Sequence, residues 1–429
     1  MPAWAGTLVL EKALARVLLK GTEMTAVFLV LLAIAAIGSA SSTVYLAIAL
    51  LGIRKFRADA ARQERTAAAL TDEQLPPVSI LKPLHGMEPE LERNLDSFFN
   101  QDYPAFEILF AVDTADDAAL PVAQKLCRSY PGIPSRVLIA GEPPWPNPPA
   151  YSFARMTEVA RNDILVTSDS DVMVGRDYLR SVVPPLLQQE SGMLTCLYRG
   201  AGLGGFWSLM DAIGMSVEMT AGVLVANMLE GMKFGLGPTI AVRRDALAAI
   251  GGYQTLGDYF SNDFVIGNLI AARGYSVVLS RHIISHVVPP MSFKRMWQRQ
   301  LRWAGGTKYS RPKGHFGTVL TYAVPYGVLG LLSGYLLHQP ALGAILFAWS
   351  FLNRMIESLA IGWGVVRDPE CLRKPWLYPL RDLLGFCIWV ASYSTRRMSW
   401  RDGRFELVEG GRILERDRDG KKVRLGAAP

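Results

Sequence analysis

Cysteine and histidine are scarce in this chain, four and five among 429 residues, and their scarcity removes whole classes of protein. Cys127, Cys196, Cys371 and Cys387 lack the paired spacing that a structural zinc site needs. They read as buried, reduced thiols rather than as a disulfide framework. His282 and His286 stand at i and i+4 with no adjacent glutamate and no third ligand, so they read as core or strand-end residues. Charge is thin as well. Charged residues make up 19%, and 38 acids face 45 bases for a net charge of +7. That excess suits an anionic bilayer leaflet, and nucleic acid is not expected as a partner.

What the chain has in quantity is apolar surface, half of all residues, unevenly spread. Residues 25–53 run almost without charge, longer than the roughly 20 residues that cross a hydrocarbon core. The run is too long for a signal-peptide core and no small-residue cleavage site follows, so it reads as a retained anchor. Arg54, Lys55, Arg57, Arg62 and Arg65 follow at once and place the next segment in the cytoplasm. Residues 1–24 carry Lys12, Arg16 and Lys20; they read either as an interfacial segment or as sequence upstream of a start at Met24. After Arg311 come apolar stretches 316–337, 341–366 and 377–393, the last short and carrying Arg381 and Asp382. The basic tail 395–429 belongs in the cytoplasm, which requires an even number of crossings, so 377–393 is expected to be interfacial or re-entrant. Asn353, Arg354 and Glu357 would be costly against lipid and are expected to pair or to face the catalytic domain.

Residues 76–312 have the composition of an α/β domain. Apolar runs at 78–81 and 107–112 flank a helical stretch at 90–99, which is the spacing of a parallel βαβ unit. A helix at 121–130, a strand at 135–139 and a helix at 153–161 lead to a strand ending at Asp169. Ligands of such sheets bind beyond the carboxyl ends of the strands, where Asp113 and Asp169 both fall. In Ser168-Asp169-Ser170-Asp171 two carboxylates at i and i+2 point the same way, suited to Mg²⁺ or Mn²⁺ shared with phosphate oxygens. Alone that pattern is as common in a solvated turn. Asp263 precedes a helical apolar pattern and reads either as a helix-start charge or as a general base. Arg299, Arg302 and Trp303 lie within one helical turn, either touching anionic lipid or serving a phosphate site.

Taken in order, VSILKPLHG at 78–86, the acidic loop after Val112, SDSD, the Asp263 region and RQLRW at 299–303 resemble the ceramide glucosyltransferases, glycosyltransferase family 21. TCLYRG at 195–200 and the run 214–244 look most like the bacterial branch, which includes hopanoid-type enzymes. The resemblance spans residues 76–393. It implies an α/β fold of the inverting GT-A class, Rossmann-like with a mostly parallel sheet, carrying transmembrane or interfacial helices at both ends. It further implies transfer from a UDP-sugar to a membrane lipid, with Asp263 as catalytic base and Asp169 and Asp171 as metal and diphosphate acids. Asp113 or Asp117 would be the uracil-side acid, and Arg299, Arg302 and Trp303 would lie at the diphosphate and acceptor end. Three departures stand out: the first acid falls at Asp113 rather than at Thr114, Asn262 replaces a common acid, and Pro149-Ala150 replaces a Lys-Val. A processive synthase would need more spanning helices and usually has Gln at the position of Arg299. An inactive binder of lipid or nucleotide is the other rival, and turnover separates it.

Overall fold

The computed structural model describes residues 4–400 and 403–416. Its first element, α1 (Trp4–Ala68), is one helix about 98 Å long at 1.5 Å per residue. No proline interrupts it and its basic, alanine-rich half continues the helix well past Ile53, where the anchor was expected to end. The side chains of residues 1–23, on which an interfacial role would depend, lie outside those described, as does tail segment 417–429.

The α/β domain follows, with β1 (Val78–Pro83), α2 (Leu91–Phe99), β2 (Phe106–Val112), α3 (Leu120–Ser129), β3 (Ser135–Ile139), α4 (Pro148–Val159) and β4 (Ile164–Ser168). Then come β5 (Val172–Met173), α5 (Tyr178–Val182), β6 (Ser191–Gly202), α6 (Phe206–Ile213) and α7 (Thr220–Leu229), the last two joined by a π-helical turn. The domain closes with β7 (Thr239–Arg243), α8 (Arg244–Ala249), α9 (Asn262–Ala272), β8 (Ser276–Val288) and α10 (Phe293–Ser310). The eight strands form one sheet in the order β3-β2-β1-β4-β7-β6-β8-β5. Strands β1 to β4 are mutually parallel, β7 runs against both its neighbours, and β6 and β8 are again parallel. The carboxyl ends of β1, β2, β4, β6 and β8 therefore share one edge with the amino end of β7. Central β1 is buried along its whole length, as expected of a strand covered on both faces. Leu91, Leu95 and Phe98 present the one-sided apolar stripe by which α2 packs on it.

The second half of the chain contains α11 (Pro312–Gly317), α12 (Val324–Leu336), α13 (Pro340–Glu357), α14 (Pro369–Arg373) and α15 (Leu377–Ser392). Among the described residues, Met24–Ala68, Phe206–Leu229 and Pro340–Trp363 are long and apolar enough to cross a membrane. Burial divides them: the apolar window of the first is 17% buried, that of Phe206–Leu229 is 72% buried. The latter owes its hydropathy to packing between the sheet and the C-terminal helices, which composition alone could not reveal. The expected span at 316–337 is broken, because α11 and α12 meet at 49°. Asp382 Oδ2 accepts the Ala323 and Val324 amides at 3.0 and 2.8 Å and so caps α12 from α15. Arg354 pairs with Glu357 at 2.7 Å and also reaches Asn353 Oδ1, which is the internal pairing expected of these residues. Cys196 and Cys371 are buried, but Cys127 is only half-buried and Cys387 is exposed on α15, contrary to expectation.

The polar tail also contains a fold of its own. Strands β9 (Arg397–Trp400), β10 (Gly403–Leu407) and β11 (Ile413–Arg416) form an antiparallel sheet whose apolar face, with Phe405, Leu407 and Ile413, packs on Phe260 and Tyr309.

Candidate active site

Asp113, Asp169 and Pro238 sit just beyond strand termini at the shared edge, and Tyr198 and His286 lie in the parts of β6 and β8 that run on past the start of β7. Asp169 and Asp171 flank the turn between β4 and β5. Burial first, and then the neighbouring Asp171, push the Asp169 carboxyl up to about 7, against the pull of His286 and Lys82. Burial would raise Asp171 too, but His286, Arg299 and Lys82 together hold it below the ordinary carboxylate range. Asp171 Oδ1 is buried without a hydrogen-bond partner, an open acceptor in a region rich in negative charge.

Lys82, at the end of β1, is fully buried; its ammonium lies 3.8 Å from the Phe98 ring centroid and donates to the Asp169 carbonyl oxygen. Burial pushes it down to about 7, with Asp169 and Asp171 opposing. Glu88 accepts from Ser170 Oγ at 2.6 Å, and burial and Asp171 raise its carboxyl. Neither residue was singled out from sequence. The available signal was a lysine standing inside an otherwise apolar strand.

Asp113 and Asp117 have different surroundings. The Asp117 carboxylate accepts the Gly86 amide at 3.0 and 3.1 Å and the Ala119 amide at 2.8 Å, tying the loop after β1 to the start of α3. Asp113 Oδ2 lies 3.6 Å from His85 Nδ1.

Asp263 occupies the first turn of α9. Burial raises its carboxyl, while the amides of Phe264, Gly237 and Asp263 itself pull it down. A Cβ at Gly237 would stand 3.2 Å from Asp263 Oδ2, so glycine there permits the close approach. The next residue, Pro238, accepts the Asp169 amide at 3.2 Å and Ser168 Oγ at 3.0 Å. Two consecutive residues thus connect the Asp263 carboxylate with the Asp169 turn. Asn262 and Asp263 are both helical, and Asp263 fits the helix-start reading as well.

On α10, Arg299 spans the site. Its Nη2 lies 3.0 Å from His286 Nε2, its Nη1 lies 3.6 Å from Asp211 Oδ2, and its guanidinium covers the Trp303 ring at 4.6 Å. Arg302 is brought down to about 10 by burial and by Arg299, so it stays charged at neutral pH. Asp211 also accepts from Gln300, whose Oε1 takes Arg381 Nη2 at 2.9 Å. His286 is a buried strand residue, as read from the sequence, yet its Nε2 also faces Asp171 Oδ2 at 3.2 Å. Tyr198, quoted only as part of TCLYRG, is buried within electrostatic reach of Asp263, Arg299, Asp211 and Asp169, and its ring lies 5.7 Å from that of His286. The edge thus joins an acid turn, a cationic helix and the half-buried Asp263 carboxylate, a set suited to holding an anionic leaving group and accepting a proton.

A mixed sheet in which β7 and the short β5 run against the rest, bearing a paired-carboxylate turn at its carboxyl edge, is the arrangement of a GT-A glycosyltransferase. The chain matches the model of glycosyl transferase family 21 over residues 32–413 and belongs to that family. It is 25% identical over 348 residues to ceramide glucosyltransferase 1 of Caenorhabditis elegans, covering 80% of this chain and 74% of the relative. It is also 33% identical over 151 residues to the ceramide glucosyltransferase of Komagataella phaffii, covering 34% and 30%. Among solved structures, the mannosyltransferase PcManGT of Pyrobaculum calidifontis, in complex with GDP-Man and Mn²⁺, superposes with a TM-score of 0.43 at 18% identity, covering 82% of this chain and 97% of that one.

Proposed function

We propose that this glycosyltransferase moves a hexose from a UDP-sugar, with UDP-glucose the first candidate, to the primary hydroxyl of a membrane lipid, with ceramide the first candidate, inverting the anomeric carbon to give a β-glycosyl lipid. The observation that carries the reading is the Gly237-Pro238 link between the half-buried Asp263 carboxylate and the Asp169 turn. A base kept above the ordinary carboxylate range and tethered to the diphosphate end is what a single in-line displacement requires. Asp263 takes the lipid hydroxyl proton as that oxygen attacks C1, and UDP departs from the opposite face. Asp113, just past the carboxyl end of β2, serves the uracil side, with Asp117 holding the loop after β1 through the Gly86 and Ala119 amides. Arg299 and Arg302 give charge-assisted hydrogen bonds to the diphosphate, and Trp303 shapes the acceptor side.

The acid turn fits a hard cation. Asp169 and Asp171 would hold it, Asp171 Oδ1 being an unpartnered buried acceptor, with His286 Nε2 3.2 Å from Asp171 Oδ2 to orient that carboxylate. Among the described residues no three His, Cys, Asp or Glu side chains form a complete cation cage, so diphosphate oxygens and water would complete the shell of Mg²⁺ or Mn²⁺. When bound, the ion supplies Lewis-acid stabilisation of the leaving diphosphate.

Residues 25–53 and 316–394 are assigned to the membrane and 76–312 to a cytoplasmic catalytic domain, by the basic flank after the anchor and the basic tail 395–429. A bacterial inner membrane is the proposed location. The family and the names of the relatives support a lipid acceptor. The test is UDP release by purified protein in detergent with Mg²⁺ or Mn²⁺, across UDP-sugars and lipids that include N-acetylglucosamine donors, hopanoids and diacylglycerol, beside Asp263→Ala. Release that requires one lipid and is lost in the variant establishes the reaction; no release with any pair overturns it.

A further inference from the structure

The segment that leads into Asp263 is held from two sides. On one side Asn147 donates its amide to the Gly257 carbonyl at 2.9 Å and its Nδ2 to the Tyr259 carbonyl, while Trp145 lies so close to Gly257 that a Cβ there would come within 2.6 Å. On the other side stands the C-terminal sheet. The Phe260 amide donates to the Gly411 carbonyl at 3.0 Å, and the Ile413 amide donates to the Asp258 carbonyl at 2.8 Å. Tyr259 and Arg412 form an antiparallel bridge, with the Arg412 guanidinium 5.4 Å from the Tyr259 ring centroid. Phe260 fills the space above Gly306 of α10 and meets Trp400 edge-on at 5.4 Å. The first carboxylate past this segment is Asp263, two residues after Ser261.

We propose that the C-terminal sheet β9–β11 is a positioning element of the active site, which pins residues 258–260 between itself and Asn147 so that Asp263 keeps its carboxylate against Gly237. The inference rests on the reading of Asp263 as the base. Asp263 lies in the first turn of α9, so the irregular segment before it sets where that helix starts, and a base displaced by about 1 Å loses much of its advantage. Backbone pairing to a distant part of the chain holds that segment in place. It also requires the tail to fold back over α10, which carries Arg299 and Arg302, so the base and the diphosphate cations share one support. Gly411 permits this: it adopts a φ of +78°, and a Cβ there would stand 2.2 Å from Ser310 Oγ.

The experiment uses the full chain with Ile413→Pro, which removes the amide donated to Asp258, beside Ile413→Ala, which keeps the amide and shortens the side chain. Arg412 precedes with φ −74° and ψ 156°, a backbone that accepts a following proline. Steady-state kinetics, UDP affinity measured by calorimetry and amide hydrogen exchange over residues 258–264 are read together. The expected result is a kcat lowered by about 10- to 100-fold in the proline variant, with UDP affinity and the donor KM unchanged, faster exchange at 258–264, and most activity kept in the alanine variant. Arg412→Ala, an exposed change that leaves the apolar face of the sheet intact, should act in the same direction to a smaller extent if proline unfolds the sheet. An unchanged kcat despite lost protection, or equal losses of kcat and UDP affinity, would overturn the proposal. If Asp263→Asn instead keeps full turnover, the assignment of the base is what fails, and exchange at 258–264 still reports whether the sheet holds the segment.

Discussion

His286 Nε2 stands 3.2 Å from Asp171 Oδ2 in the turn that leads into the neighbouring strand β5, while its Nδ1 is buried without a hydrogen-bond partner. The same Nε2 lies 3.0 Å from Arg299 Nη2, and one ring nitrogen cannot donate to the carboxylate and accept from the guanidinium together. The ring nitrogen therefore serves one of these partners at a time, according to its tautomer. His286→Ala should raise the divalent-ion concentration needed for half-maximal UDP binding by about 10- to 100-fold. Titration of Mn²⁺ at saturating UDP checks this, and an unchanged midpoint would remove His286 from the ion-binding set.

Asp263→Asn should lower kcat by about 100- to 10,000-fold while leaving UDP affinity intact. Because burial raises the Asp263 carboxyl, the active base form is lost as pH falls through that raised value, and the acid limb of kcat/KM should lie above the ordinary carboxylate range. The folded protein binds this proton more tightly than the unfolded chain, so ionisation costs stability as pH rises through the window between the ordinary and the raised values. At neutral pH Asp263→Asn should accordingly melt at or above the wild type, the gap closing below the ordinary carboxylate pKa. Thermal melts at pH 4 and pH 7.5 check the sign.

The order of strands and helices around Asp113 and Asp169 was legible because parallel βαβ units announce themselves through short apolar runs with helical spacing between. Less legible was everything fixed by contacts far apart in sequence. Lys82 and Tyr198 look like ordinary strand residues until β1 and β6 bring them to the shared edge. Residues 206–229 carry the hydropathy of a membrane span, and only packing distinguishes them from one. The tail, read as basic and polar, hides the i, i+2 pair Phe405 and Leu407, which becomes a buried face once β9–β11 bring Met398 and Ile413 opposite it.

Asp211 is fully buried and meets Arg299 at 3.6 Å while accepting from Gln300, which in turn holds Arg381 of α15. Removing one member of a buried charged group leaves the others uncompensated, so Asp211→Ala should cost about 3–5 kcal/mol of stability. Asp211→Asn, which keeps the shape and one acceptor, should cost less. Because Gln300 of α10 bridges Asp211 of α6 and Arg381 of α15, Asp211→Ala and Arg381→Ala should be strongly non-additive. Chemical unfolding of the two single variants and the double variant measures the coupling; additive losses would mean that α15 does not feel Asp211 through Gln300.

Two glycines in apolar helices separate packing from propensity. In α13, Gly343 faces α12 so closely that a Cβ would stand 2.9 Å from the Gly330 carbonyl oxygen and 3.0 Å from Leu331 Cα. These are backbone atoms, and they can yield only if the whole helix moves, so Gly343→Ala should loosen the α12–α13 seam, as small residues permit close approach of helices in lipid. In α7, a Cβ at Gly222 would meet nothing within 4 Å, so Gly222→Ala should instead stabilise by about 0.5–1 kcal/mol through helix propensity alone. Melting temperatures in one detergent, with UDP present, should move in opposite directions for the two variants. A common direction would show that propensity, rather than the contact between α12 and α13, governs how this region holds together.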